Sequence, residues 1–215
     1  MLNEKAKIAN LHYLYADLPE EKAHKKASRR LSKFGYELDK KNTDKDVLTA
    51  KRGDNVHINY SGTNIRNPRD IISDAALATG VQRINPQFKE RRQKTRNIMR
   101  QYGDDNSYSL GGHSLGGSIA LNTVGQSKSI RDRVKKVDVF NPGYTLPFHN
   151  SIKVDKPIKR ELDKKVTLNR VKGDLVSAYA NKDTAFGAVA EYSHKDKNAD
   201  LSDKHSLETF IDKDL

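Results

Sequence analysis

Apolar residues recur at helical spacing through the first part of the chain, at Ile8, Leu11, Leu14, Tyr15 and Leu18. This period predicts an amphipathic helix. Pro19-Glu20-Glu21 suits the first turn of a second helix, which should run through basic residues toward Leu31 and Gly35, because proline fits that position and acidic side chains favour the positive end of the helix dipole. We expect this helical pair to pack against a central sheet; a membrane-surface helix or a substrate cap is the alternative.

Two short runs with strand character follow, at positions 47–51 and 56–60. They are joined by Arg52-Gly53-Asp54-Asn55, whose glycine and aspartate are typical turn residues, so the pattern predicts a β-hairpin. Turn chemistry also explains the Arg-Gly-Asp sequence better than an adhesion motif does. Positions 87–101 predict a strongly basic helix whose charges face solvent.

The most informative segment is Gly-Gly-His-Ser-Leu-Gly-Gly at positions 111–117. A predicted buried strand precedes it, and a predicted helix that ends near Gly125 follows it. In a Gly-x-Ser-x-Gly elbow the serine lies on a strained turn between strand and helix, and Gly112 and Gly116 must be small for these elements to close. Ser114 is therefore a candidate nucleophile, with His113 as the residue before it. The alternative is a glycine-rich turn whose serine caps the helix.

A serine hydroxyl needs a base that takes its proton and a carboxylate that orients the base. Three of the seven histidines lie well beyond Ser114. His205 is favoured as the base, because a loop-borne histidine there can reach back to the elbow while a last helix is anchored by Leu207, Phe210 and Ile211. His194, in a charged and solvated loop, is the alternative.

The favoured acid is Asp174, which follows an apolar run and a Lys-Gly turn and so lies at the carboxyl end of a predicted strand. Active sites of open α/β sheets collect at this edge. A turn aspartate that hydrogen-bonds its own backbone is the alternative role for Asp174. Asp155, Asp163 and Asp183 are the other candidates for the acid.

Four blocks of the sequence resemble the class 3 lipases, which are serine hydrolases of the α/β-hydrolase fold. The blocks are residues 56–63, which end in Gly62-Thr63; Asp70-Ile71-Ile72-Ser73-Asp74; the elbow; and, in the family's order, Phe140-Asn141-Pro142-Gly143, residues 169–176 and His205-Ser206-Leu207. They lie within about residues 47–210. Two departures are Ser61, where the family usually has arginine, and Asn141-Pro142-Gly143, which replaces a Gly-Ser-Pro type of sequence. Neither departure touches the three candidate residues.

The resemblance implies a single α/β-hydrolase domain over residues 1–215, with a mostly parallel central sheet flanked by helices and an N-terminal helical pair. Ser114 would attack an ester carbonyl, His205 would act as base and then acid, and Asp174 would hold the imidazole. The oxyanion hole would consist of the Leu115 backbone N–H and the Thr63 backbone N–H and hydroxyl. Residues 64–85 stand where the family commonly carries a lid, which is short here. The mechanism needs no cofactor and no metal, and a calcium site made from scattered aspartates is left open.

Composition bears on partners and location. The chain has 215 residues, a net charge of +12 and no cysteine, which excludes disulfides and thiolate sites. Such a charge attracts polyanions. Basic and acidic residues are interleaved, however, and no RNA-binding module or zinc finger is visible, so we expect an anionic membrane surface as partner and no dedicated nucleic-acid binding. No apolar run suits a transmembrane segment, and the first residues lack a signal peptide's apolar core. We expect a soluble protein, cytoplasmic or virion-associated.

The sequence therefore predicts a class 3 lipase-like serine esterase that acts on acyl esters of glycerolipids. Phospholipid is favoured over neutral triglyceride because of the basic balance, and the short lid region argues against strong interfacial activation. The compact, lysine-rich and cysteine-free form also looks like lipase domains encoded by large DNA viruses. The competing hypotheses are a catalytically silent hydrolase fold that serves as a structural or binding module, and a polyanion-binding protein.

Overall fold

The computed structural model describes residues 2–62, 86–143, 154–174, 177, 186–196 and 198–211. These residues include seven strands: β1 (Glu37–Leu38), β2 (Val47–Arg52), β3 (Asn55–Tyr60), β4 (Ser107–His113), β5 (Val134–Phe140), β6 (Val166–Val171) and β7 (Ala188–Tyr192). Their helices are α1 (Leu2–Leu11), α2 (Leu14–Asp17), α3 (Glu20–Ser32), α4 (Pro86–Tyr102), α5 (Leu115–Gln126), α6 (Lys128–Arg131), α7 (Lys156–Lys165) and α8 (Leu201–His205). Single 3₁₀ turns span Lys40–Asn42 and Glu208–Phe210.

The strands form one sheet in which each strand lies beside its neighbours in sequence. β1, β2 and β3 pair antiparallel, and β3 to β7 pair parallel. The predicted hairpin is confirmed as β2 and β3, where Arg52 pairs with Asn55 and Gly53 has a φ of 56° in the turn. The predicted class, a mostly parallel sheet flanked by helices, is also confirmed. Because β3 to β6 are parallel, the segments that follow them meet at one edge.

The two faces of the sheet are covered by different helices. On β2, Val47 belongs to the core formed with α4 and α5, whereas Leu48 and Ala50 pack against the N-terminal helices. Alternate positions of a strand point to opposite faces, which explains this division. Every residue of α5 from Leu115 to Gly125 is buried, including the polar Ser118 and Asn122. The helix begins at Leu115, directly after the elbow.

The N-terminal segment differs from the predicted pair of helices, because the first helix is interrupted at His12 and Tyr13. Their backbone N–H groups bond to the carbonyls of Ala9 and Asn10, a tighter spacing than that of an α-helix. Both side chains reach away from the helix, His12 to the Lys45 carbonyl and Tyr13 to β4. Tertiary hydrogen bonds thus override the local periodicity. The expected packing of these helices against the sheet is confirmed by the buried cluster of Ile8, Leu11, Ala23, Ala27 and Leu31 with β2.

Helix α4 confirms the predicted basic helix, but the prediction that its charges simply face solvent holds for only some of them. Arg91 donates to the Ser61 carbonyl and pairs with Asp46. Lys94 pairs with Asp44, and Arg92 donates to the Asn122 side chain. These cations tie α4 to the segment before β2, to the segment after β3 and to α5.

The predicted anchor after His205 is a 3₁₀ turn, in which Leu207 and Phe210 pack on Phe140 and Val171. Several predicted features lie outside the described residues: Thr63, the paired aspartates at 70 and 74, the lid segment, and Asp183. No helix in the described part of the chain has the length and apolar character to cross a membrane.

Candidate active site

The elbow places Ser114 at the junction of β4 and α5. Its φ of 54° and ψ of −125° are rare for a residue with a side chain. The surrounding backbone leaves no room for a Cβ at Gly112 or at Gly116. A Cβ on Gly112 would lie 2.4 Å from the Gly116 carbonyl carbon, and a Cβ on Gly116 would lie 2.2 Å from the Tyr60 backbone carbonyl oxygen. These close approaches hold the strained turn. Ser114 makes no side-chain hydrogen bond that caps α5.

Hydrogen bonds connect Ser114 to His205 and His205 to Asp174, although the three residues are far apart in the chain. His205 Nε2 is 2.8 Å from Ser114 Oγ, and His205 Nδ1 is 3.0 and 3.1 Å from the two Asp174 carboxylate oxygens. The exposed fractions of the three residues are 7%, 4% and 1% respectively. A carboxylate only accepts, so Nδ1 carries the proton and the Nε2 lone pair faces the serine hydroxyl. This is the arrangement in which imidazole takes a proton from serine.

Two local devices hold Asp174. It follows β6 through a turn in which Gly173 has a φ of 84°, and its backbone N–H donates to the Val171 carbonyl. The Ser177 backbone N–H and hydroxyl donate to Asp174 Oδ2 at 3.2 and 2.5 Å. Neighbours in sequence therefore orient the carboxylate independently of its contact with His205.

The described alternatives for the base and the acid lie in other surroundings. His194 is partly exposed and hydrogen-bonds within its own loop, to Asp196. Asp155 is the residue before α7, where its backbone carbonyl accepts from the Lys159 N–H, and Asp163 accepts from the Gly187 N–H and pairs with Lys159. The structure brings none of these three to Ser114 in a described contact.

His113, the elbow residue before the serine, joins the site to the N-terminal helices. Its Nε2 lies 2.6 Å from the His205 carbonyl oxygen, and its Nδ1 lies 2.6 Å from the Tyr13 hydroxyl. Because a carbonyl only accepts, Nε2 donates and Nδ1 accepts from Tyr13. Burial, with a smaller effect of the His205 imidazole, lowers the pKa of His113 to about 3. The ring is therefore neutral at physiological pH, as this pattern of donation requires.

Of the two residues predicted to form the oxyanion hole, the structure describes Leu115. Leu115 is the first residue of α5, where backbone N–H groups lack intrahelical partners and the helix dipole favours negative charge. Thr63 is not described, but the backbone that leads to it runs beside the elbow: a Cβ on Gly62 would lie 3.5 Å from Ser114 Cβ and 2.8 Å from the His113 carbonyl oxygen.

Sequence reasoning missed three residues that brace this site: Tyr13, Ser177 and Asn141. The Asp-x-x-Ser spacing of Asp174 and Ser177 is typical of side-chain capping and could have indicated their contact. Asn141 was noted only because Asn141-Pro142-Gly143 replaces the Gly-Ser-Pro type of sequence that is usual in the class 3 lipases. The chain gives no local signal for Tyr13, because its partner is 100 residues away.

Comparisons with known proteins identify the fold. No protein-family model matches the sequence, and no curated protein matches it significantly. Among solved structures, a lipase from Rhizopus microsporus var. chinensis is similar at a TM-score of 0.53 and 12% identity, over 97% of this chain and 84% of that one. The triacylglyceride lipase of Rhizomucor miehei is similar at a TM-score of 0.52 and 14% identity, over 97% of this chain and 95% of that one. The chain therefore has the α/β-hydrolase fold that these two lipases share.

Proposed function

We propose that this protein is a lipase-type serine esterase that hydrolyses acyl esters of glycerolipids through an acyl-enzyme on Ser114. The observation that carries the proposal is the 2.8 Å contact between Ser114 Oγ and His205 Nε2, with Asp174 on the other side of the same imidazole. The strained elbow, which presents the serine at the edge where the parallel strands end, supports the same reaction. The shared fold with two lipases agrees with it.

In the proposed reaction, Ser114 Oγ attacks the ester carbonyl carbon while His205 Nε2 takes the hydroxyl proton. The tetrahedral intermediate collapses to the acyl-enzyme, and the imidazolium gives its proton to the leaving alcohol. Water then repeats the sequence and releases the carboxylic acid. Asp174 keeps the imidazole in the required tautomer. The Leu115 and Thr63 donors would stabilise the oxyanion, and losing one such donor typically raises the barrier by about 3 to 4 kcal/mol.

Phospholipid at an anionic membrane surface is the proposed substrate, and helix α3 supplies the supporting surface. Its apolar face is buried against β2, so its other face is fixed toward solvent. That face exposes six cations: Lys22, Lys25, Lys26, Arg29, Arg30 and Lys33. None of the six forms a salt bridge within the described residues, whereas cations elsewhere, such as Arg91, Arg133 and Arg170, do. Each basic residue near an anionic membrane adds about 1 kcal/mol of attraction.

The first experiment measures p-nitrophenol release from short-chain and long-chain acyl esters by the wild-type protein and by Ser114→Ala. A fluorophosphonate label located by mass spectrometry accompanies it. We expect turnover and labelling of Ser114 in the wild type and neither in the variant. If neither protein cleaves or labels, the esterase proposal fails and a catalytically silent binding module becomes the better hypothesis.

The second experiment tests the membrane surface by sedimentation with vesicles of phosphatidylcholine, with and without phosphatidylglycerol. Replacing Lys22, Lys25, Lys26 and Arg29 by glutamine should weaken binding to the anionic vesicles by at least about tenfold. The matched control removes the same charge elsewhere, at Lys40, Lys41, Lys135 and Lys164, which are also exposed. Equal loss in both variants would indicate attraction by net charge alone. Tighter binding to nucleic acid than to vesicles, without ester cleavage, would favour a polyanion-binding protein instead.

A further inference from the structure

Asn141 follows β5 in a conformation that few residues with side chains adopt. Its φ is 39°, in the left-handed region, and the residue is fully buried. A glycine would take this conformation without strain, whereas asparagine tolerates it at a modest energetic cost. The sequence resemblance places a Gly-Ser-Pro type of sequence after this strand, so the asparagine departs from that pattern. A buried, strained side chain needs a compensating interaction.

The Asn141 carboxamide connects the two segments that carry His205 and Asp174. Its Oδ1 accepts from the Val171 backbone N–H at 2.8 Å, at the end of β6. Its Nδ2 donates to the His205 carbonyl at 2.9 Å, and lies 3.1 and 3.4 Å from the carbonyls of Lys204 and Ser206. Every polar atom of the side chain is therefore used.

The neighbours of Asn141 hold the third member of the site. The Ser114 N–H donates to the Phe140 carbonyl at 3.0 Å, and the Gly143 N–H donates to the Ser114 carbonyl at 3.1 Å. The Ser118 hydroxyl donates to the Gly143 carbonyl at 2.6 Å. Residues 140–143 therefore contact the backbone at Ser114, the end of the strand that leads to Asp174, and the segment that ends in His205.

We propose that Asn141 is a positioning residue, whose carboxamide sets the imidazole of His205 between Ser114 and Asp174. This inference rests on the proposed esterase function. Asn141 acts through the backbone of its neighbours and touches none of the reacting atoms. Without its Nδ2, the carbonyls of residues 204–206 lose a buried donor, the His205 carbonyl keeps only the bond from His113 Nε2 among the described contacts, and the segment that bears His205 is held less firmly. A displacement of about 1 Å at reacting groups can lower a rate about 100-fold.

The decisive variant is Asn141→Gly, because glycine removes the carboxamide and also relieves the positive φ. We expect it to remain folded, with kcat for a p-nitrophenyl ester lowered about 10- to 100-fold and KM within about threefold of wild type. Asn141→Asp keeps the acceptor for Val171 but sets a carboxylate against the carbonyl oxygens, so a larger loss of kcat is expected. Asn106→Gly is the matched control, since it removes an amide that bonds to the Tyr102 carbonyl before β4, far from the elbow.

The low-field proton resonance of His205 Nδ1–H, assigned by its loss in His205→Ala, gives a readout that does not need turnover. Asn141→Gly should shift or broaden it, and Asn106→Gly should leave it unchanged. The proposal is overturned if Asn141→Gly matches wild type in both kcat and this resonance, or if Asn106→Gly loses kcat equally. A wild-type protein without ester turnover contradicts the proposed function instead; the resonance alone then decides the role of Asn141.

Discussion

At the scale of single residues, the elbow depends on a lack of side-chain atoms as much as on Ser114. Gly116 packs against the backbone at Tyr60 and Ser61, so a methyl group there meets main-chain atoms at the end of β3, which cannot rotate away. Gly117, the next residue, is less confined: its nearest neighbour would be Pro142 Cβ at 3.1 Å. The two glycines share a helix and differ mainly in what surrounds them.

Gly116→Ala should lower the free energy of unfolding by about 3 kcal/mol or more, because either β3 or α5 must move to admit the methyl group. Gly117→Ala should cost less, since alanine's helix propensity returns up to about 1 kcal/mol. Urea unfolding of both variants beside wild type measures the difference. Equal stability of Gly116→Ala and wild type would contradict the close packing of the elbow.

At the scale of elements, a hydrogen bond from the Tyr13 hydroxyl joins the N-terminal helices to the candidate site. Tyr13 lies in the turn between α1 and α2, and its hydroxyl donates to His113, whose other nitrogen holds the His205 carbonyl. The same hydroxyl lies 3.0 Å from the position of a Cβ on Gly62. The first helices therefore do more than cover the sheet, because they complete the surroundings of the elbow.

Tyr13→Phe should lower the free energy of unfolding by about 1 to 3 kcal/mol, because it leaves Nδ1 of the buried His113 without a donor. Tyr15→Phe is the matched control: the Tyr15 hydroxyl is buried and has no hydrogen-bond partner among the described residues, so its removal should be neutral or stabilising. Chemical denaturation of the two variants distinguishes them. Losses of the same size would show that the Tyr13 hydroxyl contributes through packing alone.

At the scale of the whole molecule, three buried histidines couple stability to pH. Burial lowers the pKa of His12 to about 4 and of His113 to about 3, and sets that of His57 well below its ordinary value. The unfolded chain, with histidine pKa values near 6.5, therefore binds more protons than the folded protein below about pH 6.5. The contribution of these buried neutral rings to the free energy of unfolding is therefore fully present above this pH and decreases as the pH falls.

We expect the free energy of unfolding to fall between about pH 6.5 and pH 5, by up to about 1.4 kcal/mol per pH unit for each of the three histidines. Urea unfolding at intervals of pH measures the slope. His12→Gln should reduce the slope by the contribution of about one proton. A stability that stays level over this range would mean that these rings take up protons in the folded state.

Features that depend on neighbouring residues could be predicted without the structure. Turn residues at Gly53 and Asp54 were enough to predict the hairpin, because turn chemistry is local. The glycines around Ser114, set between a strand pattern and a helix pattern, predicted the elbow for the same reason. Local patterns also favoured His205 and Asp174 as the base and the acid, and the structure places His205 beside Ser114 and Asp174 on the other side of the imidazole. The basic helix predicted at positions 87–101 agrees closely with the observed Pro86–Tyr102.

Contacts between distant residues, in contrast, could be identified only in the folded protein. The carboxyl ends of β3 to β6 meet at one edge, and that edge brings Asn141 to His205 and Val171 across gaps of 64 and 30 residues. The break after α1 and the inward contacts of Arg91 likewise depend on partners in other elements. Hydrogen bonds of this kind leave no periodic pattern in the sequence, because their geometry exists only after the sheet has formed.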